Sequence, residues 1–327
     1  MKDNNQKPDK FEIPIKLANY KGLVIKKNNP MVSQAEIDKS LDYLQQSRAK
    51  IITVNKPAIK GNRVEIDFEV HHGGVRIEDG TSKNHPLILG EGRFLSGFEE
   101  KLEGMKVGEE KEFSLKVPDN WPDKRINEKK LDFKVKMNLV QKREIPDLND
   151  EFAKSLGNFE SLDALRKSIK GGLMEEKELK EKQRIKLELI EQVADNSKAE
   201  IPDELVRKEL EIMEKELKMA VESMGLDFER YLKEINKTSE DLKKDWQTQA
   251  EKRVKIAICL RAIAGKENIE VSESEINERV NHNLKHYQNA GKIEKNIDLN
   301  ALREYAKEVL RNEKVFGLLE KEAKIIN

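Results

Sequence analysis

Between Arg63 and Val140 apolar and polar residues alternate with a period of two. In "RVEIDFEV" Val64, Ile66, Phe68 and Val70 fall on one face, and in "EFSLKV" Phe113, Leu115 and Val117 do the same. "LDFKVKMNL" carries the alternation through Leu131, Phe133, Val135, Met137 and Leu139. Such alternation over short runs predicts an antiparallel sheet with one packed and one wet face. His71-His72 beside Gly73-Gly74 predicts a polar hairpin tip. Phe94, Phe98 and Leu102 fall four apart, which predicts one short helix lying on the sheet.

From Phe152 onward the period becomes helical. Pro202 opens a helix that carries Val206, Leu210, Met213, Leu217, Ala220 and Met224, and Gly225 stops it. Thr238 caps the next helix, with Leu242, Trp246, Ala250, Val254 and Ala257 inward and an end near Gly265. Ser272 and Glu275 form a capping box ahead of Ile276, Val280, Leu284 and Tyr287. A last helix follows Asp298 and carries Leu302, Tyr305, Val309 and Phe316. The outer faces are dense in Glu and Lys, as on solvated helices. At the front, "YKGLVIKK" predicts a strand. "SQAEIDKSLDYLQQSRA" predicts a helix with Ser33 and Glu36 as its capping box and Ile37, Leu41 and Leu44 inward. "EIPDLND" (144–150) is the hinge between the two periodic regimes, and no internal repeat is evident.

Composition narrows the function. The 327 residues hold 62 Lys+Arg against 62 Asp+Glu, so no overall basic bias points to nucleic acid. Aromatic residues make up 5% of the chain, few for base stacking. The single cysteine, Cys259, lies in the apolar run "VKIAICLRAIA" and reads as a buried helix residue, so no intrachain disulfide forms. No stretch approaches the about 18 apolar residues of a membrane span, and "MKDNNQKPDK" lacks the apolar core of a signal peptide. The expectation is a soluble cytoplasmic protein with a disordered tail over residues 1–10, without membrane insertion.

Gly90, Gly92 and Gly97 look at first like a phosphate loop. A dinucleotide fingerprint needs G-x-G-x-x-G between a strand and a long helix of a parallel βαβ unit. Here the spacing is G-x-G-x-x-x-x-G within an antiparallel pattern, and no Lys-Ser/Thr pair follows. Nucleotide binding is therefore not expected. His282 and His286, four apart, have a spacing that can hold zinc, yet Asn283 stands where a metalloprotease helix needs Glu and no third ligand is evident. A solvated helix face accounts for them. No cofactor or metal is expected.

The informative stretch is "LILGEGRFLSGFEEKLEGMKVGEEKEFSL" after "VEIDF", followed by "VPDNW" and "LDFKVKM". This order resembles the FKBP type of peptidyl-prolyl isomerase, in the variant found in bacterial trigger factors. The flanks "YKGLVIKK…VSQAEID" and "REIPDLNDEFAKSLG" are similar to that family's, as are the helical pieces "EIPDELVRKEL" and "LRAIAGKENIEVSESEI". The resemblance covers Phe11 to Asn327. It implies an α+β architecture: a small antiparallel FKBP-like sheet with one short helix, attached to an elongated all-α helical body. It divides the chain into a linking strand and helix at 11–57, packed with the helical body, an isomerase domain at 58–144 and a helical substrate-binding chaperone domain at 145–327.

The same resemblance implies a proline pocket walled by Phe68 on the first strand and Ile77 and Glu78 in the following loop. Phe94, Leu95 and Phe98 would come from the short helix, Trp121 from a later loop and Phe133 from the last strand, whereas Phe113 and Leu115 read as ordinary core. Three residues depart from the family pattern. Ile77 stands where an aromatic is frequent, Trp121 where tyrosine is usual and Val70 where glycine is common, which implies lower turnover or an altered preference before proline. The implied function is a folding factor, a peptidyl-prolyl cis-trans isomerase and ATP-independent chaperone for unfolded or nascent polypeptides. The alternative is a non-catalytic holdase or proline-segment binding module. Met174, Met213, Met219 and Met224 would supply adaptable apolar surface for clients. The G-F-R-x-G-x-x-P loop by which trigger factors dock on the ribosome does not occur in the sequence, so docking by that route is not expected.

Overall fold

The computed structural model describes residues 13–121, 126–289 and 298–326, without the side chains of residues 78, 79 and 286–289. The tail expected at 1–10 and the side chains of Glu78, His286 and Tyr287 lie outside the described residues. In chain order the first elements are β1 (Ile15–Lys16), β2 (Val24–Lys26), α1 (Gln34–Ser47), β3 (Lys50–Thr53), β4 (Arg63–His72) and β5 (Val75–Ile88). Then come α2 (Phe98–Leu102), β6 (Glu110–Lys116), β7 (Lys130–Glu144), α3 (Asp150–Leu156) and α4 (Leu162–Asn196). The remainder is β8 (Lys198–Ala199), α5 (Asp203–Ser223), α6 (Phe228–Glu234), α7 (Ser239–Lys266), α8 (Glu273–Asn289), α9 (Leu299–Glu322) and β9 (Lys324–Ile326). The chain forms two compact units, one of residues 32–174 and one of the segment up to residue 31 with residues 175–327.

The first unit is built on β7. It pairs antiparallel with β4 along one edge and with β6 and β3 along the other, and β5 completes the sheet beside β4. Along β7 Leu131, Phe133, Val135 and Met137 are buried while Lys130, Asp132, Lys134 and Lys136 are exposed, as the alternation predicts. The pattern then slips. A register shift opposite Glu65 and Ile66 makes Val140 the fully buried residue and leaves Leu139, expected on that face, only half-buried. A bulge adds one residue to one strand and so turns the alternation over.

β5 was not legible as a strand. Ile77 and Glu78, expected in a loop, lie within it. Two register shifts against β4 break its period, and its middle, "EDGTSKNH", has the composition of a turn. α1 sits in this unit as well. Its Ile37 and Leu41 share a small core with Phe152 and Ala153 of α3 and Leu165 of α4. The 11–57 segment is thus divided: α1 and β3 belong to the sheet-bearing unit, while β1 and β2 belong to the other.

In the second unit β1 pairs antiparallel with β8 and β2 pairs parallel with β9, so the N-terminal strands clip onto later parts of the chain. Tyr20 and Ile25 pack with Leu189 and Val193 of α4, Cys259 and Ile263 of α7 and Leu319 of α9. The caps fall where the sequence puts them: Ser33–Glu36 before α1, Thr238–Asp241 before α7, Ser272–Glu275 before α8 and Asp298 before α9. On α5, Val206, Leu210 and Met213 are buried, but the seam continues through Val221 and leaves Ala220 and Met224 exposed. Val221 faces Phe228 and Leu232 of α6, and a step of four from Leu217 brings it onto that side. Of the four methionines expected as surface, Met213 is core and Met174 is half-buried, while Met219 and Met224 stand 70% and 66% exposed. Among the described residues no helix is long and apolar enough to cross a membrane.

Candidate functional site

The site begins with a turn. After β5 the chain passes through Gly90 and Gly92, both at positive φ (93° and 65°), where a side chain is strained. This folds the backbone so that four donors, the last three of them consecutive, converge on one buried carboxylate. Oε2 of Glu99 accepts from the N–H of Gly90 at 2.6 Å and of Gly92 at 3.0 Å. Oε1 accepts from Arg93 at 2.9 Å and from Phe94 at 3.4 Å. Successive backbone N–H groups make an anion-binding concavity. The glycine run that resembled a phosphate loop is therefore an anion nest, and its anion is the chain's own Glu99, 5% exposed. Burial pushes that carboxyl up, but the four N–H bonds outweigh it and hold the group below the usual glutamate range.

Gly97 follows at φ 85°, so helix α2 starts only at Phe98. Of the residues expected on the short helix, Phe98 and Leu102 lie on it; Phe94 and Leu95 belong to the turn before it. The rings nevertheless come together. Phe94 stacks on Phe98 with centroids 4.1 Å apart, and Phe68 meets Phe94 edge-on at 5.3 Å. Phe133 meets Phe98 edge-on at 5.2 Å and stacks with Phe113 at 5.5 Å. Phe98, with no exposed surface, is the floor of this cluster.

Beside this cluster, sharing Phe94 and Phe133 with it, opens a cavity of about 180 Å³ lined by Arg93, Phe94, Leu95, Val117, Trp121, Ile126, Leu131 and Phe133. Its volume is below that of a typical cofactor pocket and suits one side chain. Two hydrogen bonds tie together the stretches that carry Trp121 and Ile126. The Val117 N–H donates to the Lys129 carbonyl at 2.9 Å, and the Asn127 side-chain amide donates to the Asp119 carbonyl.

Of the eight residues expected at the site, Phe94, Leu95, Trp121 and Phe133 line this cavity. Phe68 and Phe98 support it through ring contacts, and Ile77 packs half-buried against the domain core without lining it. Sequence reading missed His85, whose ring meets Phe68 at 5.5 Å and Phe94 at 5.8 Å, both edge-on. It also missed Val117, Ile126 and Leu131. His85 sits on β5, the strand that was not legible, so no periodicity could have placed it. Phe113, read as plain core, backs Phe98 and Phe133.

A small antiparallel sheet closed over one short helix, with an apolar cavity beside an interlocked aromatic cluster, defines an FKBP-type isomerase domain. Residues 54–138 match the family model described as FKBP-type peptidyl-prolyl cis-trans isomerase, and residues 161–320 match that of the bacterial trigger factor protein (TF) C-terminus. The trigger factor of Clostridium kluyveri is 34% identical over 315 residues, which span 95% of this chain and 73% of that protein. That of Caldicellulosiruptor saccharolyticus is 31% identical over 323 residues, spanning 97% and 74%. A solved structure of the trigger factor chaperone aligns over 95% of this chain and 73% of its own, with a TM-score of 0.48 and 21% identity. The chain belongs to the trigger factor family. Its function is peptidyl-prolyl isomerisation joined to chaperoning of unfolded polypeptides.

Proposed function

We propose that the 180 Å³ cavity receives the proline ring of a client and that Phe94, Leu95, Trp121 and Phe133 are its walls. Phe98 is the floor, and Phe68, Ile77 and Glu78 extend the site toward the residues flanking proline. An X–Pro bond turns over tens to hundreds of seconds, because twisting the amide sacrifices resonance worth most of a barrier of about 18–20 kcal/mol. No nucleophile is needed. A planar amide carries more charge on its oxygen than a twisted one, so an apolar enclosure that excludes water disfavours the planar form relative to the twisted one. Four apolar walls around one side chain's worth of space are the observation that carries this reading. Proline-limited refolding of a client in the presence of wild type or Trp121→Ala tests it, with acceleration by wild type and little by the variant as the expected result.

The departures from the family pattern bear on rate. Trp121 offers a single indole donor where a phenol hydroxyl both donates and accepts, and Ile77 provides an aliphatic flank. Turnover below that of tyrosine-bearing relatives, with a shifted preference before proline, is the expected consequence. The clients are unfolded or nascent chains, captured on the apolar surface of the helical unit, where Met219 and Met224 stand exposed. The cytoplasm is the proposed compartment, in keeping with family membership and with a lone, fully buried Cys259.

A further inference from the structure

Resting on that reading of the cavity, we propose that Glu99 is a positioning residue of the isomerase, an internal anion whose charge shapes the 90–94 turn and so sets Phe94 and Leu95 as the cavity wall. The geometry is specific. Glu99 is anchored by α2, immediately after Phe98, and its carboxylate gathers the N–H groups of Gly90, Gly92, Arg93 and Phe94 at 2.6–3.4 Å. One residue thereby fixes both partners of the Phe94–Phe98 stack: the floor through the helix and the wall through the turn.

Only a carboxylate suits the four donors. It presents two acceptor oxygens, and each here takes two N–H bonds. A glutamine amide has one oxygen and one NH₂. Whichever way it turns, two backbone donors face a third donor, and the turn must open to relieve them. The displaced residue is then Phe94, whose ring is cavity wall. Among the described residues, the hydrogen-bond partners of the carboxylate are these four backbone N–H groups. Arg93, next in the turn, instead pairs with Glu91 at 2.8 Å and is 80% exposed.

The test uses the full chain and three variants, Glu99→Gln, Glu99→Ala and Trp121→Ala, assayed on a Phe-Pro tetrapeptide with thermal unfolding and aggregation suppression as folding controls. Glu99→Gln is expected to unfold cooperatively and suppress aggregation like wild type while kcat/KM falls at least about tenfold, since small misplacements of positioning groups have effects of that order or larger. Sodium formate, a carboxylate small enough for the vacated nest, is expected to restore part of the activity of Glu99→Ala and none of that of Trp121→Ala. Wild-type kcat/KM in Glu99→Gln beside a strong loss in Trp121→Ala would overturn the positioning role and leave the cavity reading intact. Wild-type activity in Trp121→Ala would overturn both. A folded Glu99→Ala whose loss formate leaves untouched would overturn the role of the anion.

Discussion

The ring of Phe94 lies on the ring of Phe98 with centroids 4.1 Å apart and planes 23° from parallel. The pair joins a turn residue that faces the cavity to a helix residue with no exposed surface. Stacked aromatic pairs contribute about 0.5–1.5 kcal/mol beyond the area they bury. Phe94→Leu should therefore cost about 1 kcal/mol of domain stability in urea unfolding and should weaken peptide isomerisation, because the aliphatic residue cannot hold the flat wall. Isomerase activity equal to wild type in a Phe94→Leu protein would detach this ring from the site.

Gly90 tests the turn by a different route. A Cβ there would come within 2.6 Å of the Lys60 Cγ, but that contact is with a flexible side chain that can swing away. The lasting cost is the backbone at φ 93°, which should make Gly90→Ala less stable by about 1–2 kcal/mol. Adding Lys60→Ala should recover little of it. Full recovery in the double variant would locate the cost in the side-chain clash.

Much of this domain was legible because its strands obey simple periodicity. β4, β6 and β7 follow from alternation, whereas Phe94, Phe98, Trp121 and Phe133 were singled out by the resemblance to FKBP-type isomerases. What stayed hidden has local causes. The bulges opposite β4 erased the period of β5 and with it the placement of His85, Ile77 and Glu78. The positive φ of Gly97 cut the helix short, a conformational choice that the spacing of Phe94, Phe98 and Leu102 does not record. The glycine run was read as no phosphate loop, and only the folded chain reveals that its N–H groups gather the carboxylate of Glu99. In the helical unit, caps were readable residue by residue, whereas the drift of the α5 seam from Ala220 to Val221 depends on where α6 packs.

Glu275 links the start of α8 to α9. The Lys314 ammonium, then the backbone and hydroxyl of Ser272, hold its carboxyl down at about 2. A carboxyl lowered on folding contributes stability that is fully present above its unfolded value, near 4.5, and is lost as the pH falls toward 2. The urea midpoint of the α8–α9 region should drop across that window, and Glu275→Gln should make the drop shallower while lowering the midpoint at neutral pH. An unchanged acid slope in Glu275→Gln would remove this pair from the acid response.

Met219 and Met224, 70% and 66% exposed on the second unit, bear on the chaperone activity. Replacing both with serine should reduce suppression of client aggregation and leave tetrapeptide isomerisation unchanged, since the cavity belongs to the other unit. Equal loss of both activities would contradict a division of labour between the units.

If the indole of Trp121 limits turnover, Trp121→Tyr should raise kcat/KM on a Phe-Pro peptide by a few-fold, about 1 kcal/mol or less in barrier. A fall would show that this cavity has adapted to the larger ring.

The most direct measurement is the rate of a proline-limited refolding reaction as wild type or Trp121→Ala is titrated in. The account predicts that the slow phase accelerates in proportion to wild-type protein and hardly responds to a Trp121→Ala variant that remains folded. Equal acceleration by both proteins would mean that the cavity lined by Phe94, Leu95, Trp121 and Phe133 is not where the prolyl bond turns.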